Sequence, residues 1–276
     1  MMDQTQSALL AAVEQSPQAA AAHDRAGWVG LFTDDGRVED PVGSRPHVGP
    51  EQISRFYDTF IGPRDITFHR DLDIVRGSAV IRDLELEVAM GPAVTMHIPA
   101  FLRYDLREAD GTWKIAALRA YWELPSMMLQ FLRNGLPAVP AGLQLSQALL
   151  ANQRLRGTLG FATGFRRAGS RHKQLAGIFL DAVASGDKFA ALRTLSPTAT
   201  MTFGDDEDVD VTDLIDRLGG ANWTKIIGAG RTVAASVTAP QGRGVMFADM
   251  AQRGTAIQQI RYFAASSTND AVANNR

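Results

Sequence analysis

Apolar positions along this chain change period several times, and the changes divide it into elements. Leu9, Leu10 and Val13 share one side of a helical repeat over residues 3–14. Ser16-Pro17 reads as an N-cap followed by proline at the first position of a second helix, continued by the alanine run 19–22. Asp24 caps a third, in which Trp28, Leu31 and Phe32 recur at three and four. Asp34-Asp35-Gly36 then turns the chain into a short strand that delivers Asp40, and Pro41 and Gly43 break it. An amphipathic helix over 50–60 follows, with Ile53, Phe56 and Tyr57 at helical spacing. After it the period falls to two. Residues 66–75, 80–90, 94–104 and 113–122 read as strands, with turns at Gly91-Pro92 and Ala109-Asp110-Gly111. In the second of these, Leu84, Leu86 and Val88 alternate with Asp83, Glu85 and Glu87, the pattern of a strand with one buried face. Helices followed by a curved antiparallel sheet make residues 1–125 an α+β domain.

Residues 126–170 break the pattern. Met127, Met128, Leu129, Phe131 and Leu132 form an apolar helix, Asn134-Gly135 ends it, and residues 143–155 form another. This is a helical connector, too apolar for a disordered linker. From residue 171 the order of the first half returns: a helix to Ala184, a restart at Ser185-Gly186-Asp187, a strand over 200–203, a helix over 209–218, and strand patterns at 226–237, 244–250 and 256–263. Residues 171–265 therefore read as an internal repeat of the first domain. The small, polar segment 266–276 reads as a flexible tail.

Composition narrows the chemistry. The chain has 276 residues, enough for two ordinary domains, and 45% of them are hydrophobic. It has no cysteine, so disulfides, thiolate catalysis and cysteine-held zinc are excluded. The five histidines are scattered without metal-ligand spacing, and neither a metal nor another cofactor is expected. A net charge of −2 gives no general attraction to nucleic acid. No signal peptide or membrane span is legible, which makes a cytoplasmic location the default expectation. The charge is unevenly placed: no acid lies between Glu123 and Asp181, where seven of the 28 basic residues fall. The basic stretch 133–173 offers a weak contact with an anionic membrane surface or an acidic partner, but packing between the two domains is the favoured reading, because its helices are short for interfacial anchors.

The candidate chemistry centres on Asp40. An acid at a strand end beside an apolar helix is poorly solvated, which raises its pKa and makes it a better proton acceptor near neutral pH; capping a turn before Pro41 is the plainer alternative. The run Leu31-Phe32-Thr33-Asp34-Asp35-Gly36-Arg37-Val38-Glu39-Asp40-Pro41-Val42-Gly43, then Gly49, Ile53 and Phe56-Tyr57, resembles the bacterial ketosteroid isomerases of the NTF2-like (SnoaL-like) superfamily. Leu102-Arg103-Tyr104-Asp105 and Arg119-Ala120-Tyr121-Trp122 resemble that family's last two strands. The resemblance covers residues 16–125, and the second half resembles only the general superfamily shape.

It implies two tandem cone-shaped α+β barrels, each with helices on a curved sheet, the first holding a deep apolar pocket for a hydrophobic small molecule. It implies proton transfer on a steroid- or polyketide-like carbonyl compound, with Asp40 as the base. Inward parity assigns Leu84, Leu86, Val88, Met96, Ile98, Ala100, Leu118 and Trp122 to the pocket wall, joined by Phe56 of the helix, and turns His97 outward. The family's two oxyanion donors do not carry over, because their positions fall on Ser16 and Ala100; Tyr57 is the candidate substitute, with core packing as its alternative role. In the second half the position of Asp40 falls on Phe203, so that domain reads as non-catalytic, and the acidic loop 205–208 reads as a solvated turn. Two functions follow: a ketosteroid-isomerase-like enzyme, or a non-catalytic binder of a hydrophobic small molecule or lipid. Pairing of the two halves through their sheets would make the chain a monomer with an internal pseudo-dimer; a homodimer is the alternative.

Overall fold

The computed structural model describes residues 4–90, 94–133, 169–252 and 255–265. Its first helix, α1 (Gln4–Ala21), passes straight through Pro17. The expected break at Ser16-Pro17 does not occur because Leu9, Val13, Ser16 and Ala20, at helical spacing, are all buried, and that face outweighs one lost backbone hydrogen bond. Ser16 is therefore not a cap: its hydroxyl accepts a hydrogen bond from the Trp28 indole at 3.2 Å. Asp24 does cap α2 (Arg25–Gly30), accepting from the Gly27 amide at 2.8 Å. The expected turn at Asp34-Asp35-Gly36 lies instead inside β1 (Phe32–Glu39), as a register irregularity between Phe32 and Arg37. A short β2 (His47–Val48), α3 (Gly49–Phe56) and a π-helical turn (Tyr57–Ile61) follow, and then four long strands: β3 (Asp65–Arg76), β4 (Ala79–Ala89), β5 (Thr95–Ala109) and β6 (Thr112–Tyr121). The sheet order is β2-β1-β6-β5-β4-β3. The sheet is mixed, not purely antiparallel, because β1 runs parallel to β6.

After α4 (Leu124–Arg133) the described chain resumes in α5 (Ser170–Ala184) and α6 (Lys188–Thr194), whose N-cap Asp187 accepts from the Ala190 amide as Asp24 does in the first half. Next come β7 (Leu195–Phe203), β8 (Glu207–Asp208), α7 (Val211–Leu218), β9 (Asn222–Ala229), β10 (Thr232–Ala239), β11 (Gly242–Met250) and β12 (Ile257–Ala264). The stretch expected to be one strand at 226–237 is two, turned at Gly230-Arg231, where Gly230 has φ +59°. The second sheet is ordered β8-β7-β12-β11-β10-β9, the same permutation as the first.

The repeat holds residue by residue. Phe32 and Arg37 face Ile115 and Ala117 as Leu195 and Thr200 face Ile257 and Gln259, with the same irregularity between them. Counting on, Asp40 corresponds to Phe203 and Trp122 to Ala264. Asp105 and Asp249 take equivalent places opposite Ala79 and Thr232, which makes Asp83 the counterpart of Ser236. Through the matching bulges of β3 and β9, Leu72 is the counterpart of Lys225.

Each unit has its own core between helices and the concave sheet face, and a third core joins them. It is made by the outer faces of the two sheets, with Leu72, Ile74, Ile81, Phe101 and Tyr121 against Ile227, Ala234, Val245, Phe247 and Phe263. The Tyr121 and Phe247 rings lie 4.9 Å apart, and Phe263 meets Phe247 edge-on at 5.8 Å. Ion pairs cross the seam. Arg103 binds Asp205 at 2.8 Å, Arg76 binds Glu207 at 2.6 Å, and Arg243 pairs with Asp71. The acidic loop is an exposed turn, as expected, and two of its carboxylates, Asp205 and Glu207, also tie it to the first unit. At one end Gly43 and Gly230 cross so closely that a Cβ on Gly43 would lie 2.4 Å from the Gly230 Cα.

The connector segment 134–168 and the tail from residue 266 lie outside the described residues. At the near end of the basic stretch, Lys173 binds Glu123 at 2.6 Å. Among the described residues no helix is long and apolar enough to cross a membrane.

Candidate functional site

Asp40 follows the last residue of β1, where the parallel ladder sets Val38 against Leu118 and Glu39 against Arg119. The bend behind it is pinned twice: the Val42 amide donates to the Ala120 carbonyl at 2.8 Å, and the Gly43 amide to the Glu39 carboxylate at 2.8 Å. The Asp40–Pro41 peptide bond is cis. With Val38 fully buried, the alternation turns Asp40 toward the concave side. Trp122, one residue past the end of β6, donates its indole N–H to the Asp40 carboxylate at 2.5 Å. Burial raises the Asp40 carboxyl to about 6, against the opposing pull of that hydrogen bond. The result is a half-buried acid that is ionised at neutral pH yet basic enough to take a proton, the combination a general base requires.

The expected wall residues fall into two touching clusters. Leu84, Ala100 and Leu118 lie in the main core of the first unit, with Phe56 and Tyr57. Val88, Met96 and Ile98 form a second apolar group with Met90 and Val94, against which Ile66 and Met127 pack. Leu86 and Trp122 pack against both groups. Trp122 therefore connects the carboxyl of Asp40 to a packed apolar cluster that continues along β4 and β5. His97 points away, exposed and paired to Glu85 at 3.0 Å. A cleft of about 680 Å³ opens beside this region between the units; its lining includes Glu39, Gly43, Arg231 and Asp249 and does not include Asp40.

Phe56 and Tyr57 sit deeper, around Trp28. The Trp28 ring lies 6.1 Å from Phe56 and 5.6 Å from Tyr57. Burial raises the Tyr57 hydroxyl above the ordinary phenol range; the charges acting on it are Asp24, Asp58 and Arg25, and Asp40 is not among them. The hydroxyl is buried and makes no hydrogen bond among the described residues. The donor positions of the resemblance are occupied as counted. Ser16 accepts from Trp28 and is hydrogen-bonded to Tyr104, and Ala100 presents only a methyl group, fully buried. Beneath α1, the buried Arg82 binds Asp73 and Glu14, each at 2.8 Å, a cluster that sequence reasoning missed. The role of Trp122 as partner of Asp40 was also missed, because it depends on the parallel pairing of β1 and β6. In the second unit Phe203 stands at the Asp40 position with the Tyr262 ring 6.2 Å away, so that position holds no carboxylate.

Residues 8–128 match the family model of the Nuclear transport factor 2 (NTF2) domain. The first unit belongs to that family, and the second repeats its α+β topology. Several solved structures are similar. RV0760c from Mycobacterium tuberculosis, solved in complex with estradiol-17beta-hemisuccinate, is 27% identical over 43% of this chain and 95% of that one, with a TM-score of 0.39. Delta 5-3-ketosteroid isomerase from Mycobacterium sp. is 29% identical over 43% of this chain and 95% of that one, with a TM-score of 0.35. A putative SnoaL-like polyketide cyclase from Shewanella putrefaciens CN-32 is 16% identical over 48% of this chain and 99% of that one, with a TM-score of 0.42.

Proposed function

We propose that the first unit binds a flat, apolar carbonyl compound of the steroid or polyketide kind and that Asp40 moves a proton on it. The observation that carries this reading is the Asp40–Trp122 pair: a carboxyl raised to about 6 by burial, at the edge of a packed apolar cluster. The proton would leave a carbon next to the carbonyl, pass to the Asp40 carboxylate, and return further along the enolate. Asp40 is the catalytic residue of this reading. Leu86, Val88, Met96, Ile98 and Trp122 would hold the apolar body of the ligand, and Tyr57 is the hydroxyl to test as a donor to the enolate oxygen.

A second reading is favoured by one specific feature. Ala100 offers nothing to an oxyanion, the buried Ser16 hydroxyl is already shared between Trp28 and Tyr104, and losing such donors typically costs a few kcal/mol each in the transition state. The pocket would then bind without turnover. Both readings are tested on purified protein with a 5-ene-3-ketosteroid, following the ultraviolet rise of the conjugated product and, separately, binding by tryptophan quenching. D40N should lower turnover by about 10²-fold or more if Asp40 is the base; unchanged turnover rejects that role. Binding without turnover in the native protein selects the second reading.

A further inference from the structure

The wall made by β4 and β5 has a back, and the second unit is packed on it. At the cross-strand pair Leu84 and Ala100, both side chains face the core of the first unit. Their neighbours Asp83 and Phe101 face the other way, into the seam between the units. Lys225 of β9 ends there. Its ammonium donates to the Leu84 carbonyl at 2.8 Å and to the Ala100 carbonyl at 3.0 Å, and it pairs with the Asp83 carboxylate. Two of its N–H donors are thus used on the carbonyls, and the contact with Asp83 is an ion pair. It also lies 4.5 Å from the centre of the Phe101 ring. Asp83 is only 2% exposed, and its second oxygen accepts from Ser236 of β10. One side chain of the second unit thus bridges both strands of the wall at a single layer.

This is also a place where the two copies depart from each other. The counterpart of Lys225 is Leu72, and the counterpart of Asp83 is Ser236. Closing an apolar seam needs no buried ion pair at this place. The ionic group stands instead behind the strands that line the first unit's concave side, and the second unit carries no base of its own.

We propose that Lys225 is a positioning residue for the pocket of the first unit, fixing β4 and β5 from behind at the Leu84–Ala100 layer; this rests on the pocket reading above. The test uses the full chain, the variant K225M/D83N, which removes both charges so that no buried carboxylate is left alone, and E207Q, which removes an exposed tie of the same seam. Amide hydrogen exchange over β4 and β5 and titration with a 5-ene-3-ketosteroid are measured on all three. The expected result is exchange at residues 84–86 and at Ile98, Ala100 and Phe101 at least tenfold faster in K225M/D83N, with about tenfold weaker steroid binding, while E207Q stays within twofold in both. Exchange at those residues within twofold of the native chain overturns the proposal, and so does acceleration spread evenly over both sheets. A native chain that fails to bind the steroid sinks the pocket reading, and the exchange result then decides on wall positioning by the same criterion. Should K225M/D83N not fold, K225Q, which shortens the reach to the two carbonyls, is judged in its place.

Discussion

Replacing Asp40 by asparagine changes stability as well as chemistry, and the two move in opposite directions. The carboxyl sits at about 6 in the folded chain against an ordinary 3.8, so between these values the folded state holds a proton that the unfolded state has lost. Stability attributable to Asp40 therefore falls as pH rises from about 4 to about 6 and stays low above that. At pH 8 D40N should be more stable than the native chain by about 3 kcal/mol, and at pH 4 most of the gain should vanish, as read from urea unfolding of both proteins. His47, held down to about 4 by burial and then by Arg45 and Arg55, titrates over the same range with the opposite sign, and the difference between the two proteins cancels it. W122F should raise the Asp40 carboxyl further, by about one unit for one lost hydrogen bond to a charged group, visible as an upward shift in the pH dependence of turnover or binding. At this scale Asp40 was legible, because a strand-ending acid before proline is a local signal. Asp83 was read as the solvated side of an alternating strand. Its burial comes from Lys225 and Ser236 in the other unit, and no local pattern reports that.

Among the elements, the long strands were legible to within a few residues because each alternates cleanly and stops at glycine or proline. One misreading missed a local signal, the turn at Gly230-Arg231; two others came where a tertiary face overrode one. Pro17 does not end α1, since the buried side of the helix continues past it. Asp34-Asp35-Gly36 has turn composition but lies along β6, and Gly36 is packed so tightly that a Cβ would sit 2.7 Å from the Thr33 carbonyl oxygen. The repeat was legible in Asp24 and Asp187, and the structure gives them the same task as N-caps. D24A and D187A should each cost about 1 kcal/mol, and by similar amounts, in chemical denaturation. The parallel direction of β1 against β6 was not legible, because strand direction depends on the whole connection between them. That pairing is what brings Trp122 to Asp40.

For the whole molecule, the shared aromatic core predicts one unfolding transition. Exposing Phe101, Tyr121, Phe247 and Phe263 in a half-unfolded chain would uncover a large apolar area, so thermal unfolding followed at the tryptophans and by far-ultraviolet circular dichroism should coincide. The glycine crossing gives a sharper test. Gly77 and its counterpart Gly230 both have positive φ, +56° and +59°. Around Gly77 there is open space, whereas a Cβ on Gly230 would lie 2.8 Å from the Gly43 Cα. G77A should cost about 1 kcal/mol for its backbone conformation alone. G230A adds a displacement of the seam and should cost at least twice as much.

Asp83 and Ser236 are counterparts that touch each other, as residues nearest a twofold axis do. In a pair of identical chains such a residue meets its own likeness, and every substitution there is made twice. Two copies of the first unit laid together in this way would bring carboxylate against carboxylate in a dry seam, a like-charge contact that costs several kcal/mol. Joining the copies in one polypeptide removes that restriction, because each side of the axis can change alone. The seam has become a lock with a dissimilar key: the first unit is complementary to its own second half and ill matched to another first unit. The duplication thereby makes a surface of the kind that pairs like with like into one that tells self from copy.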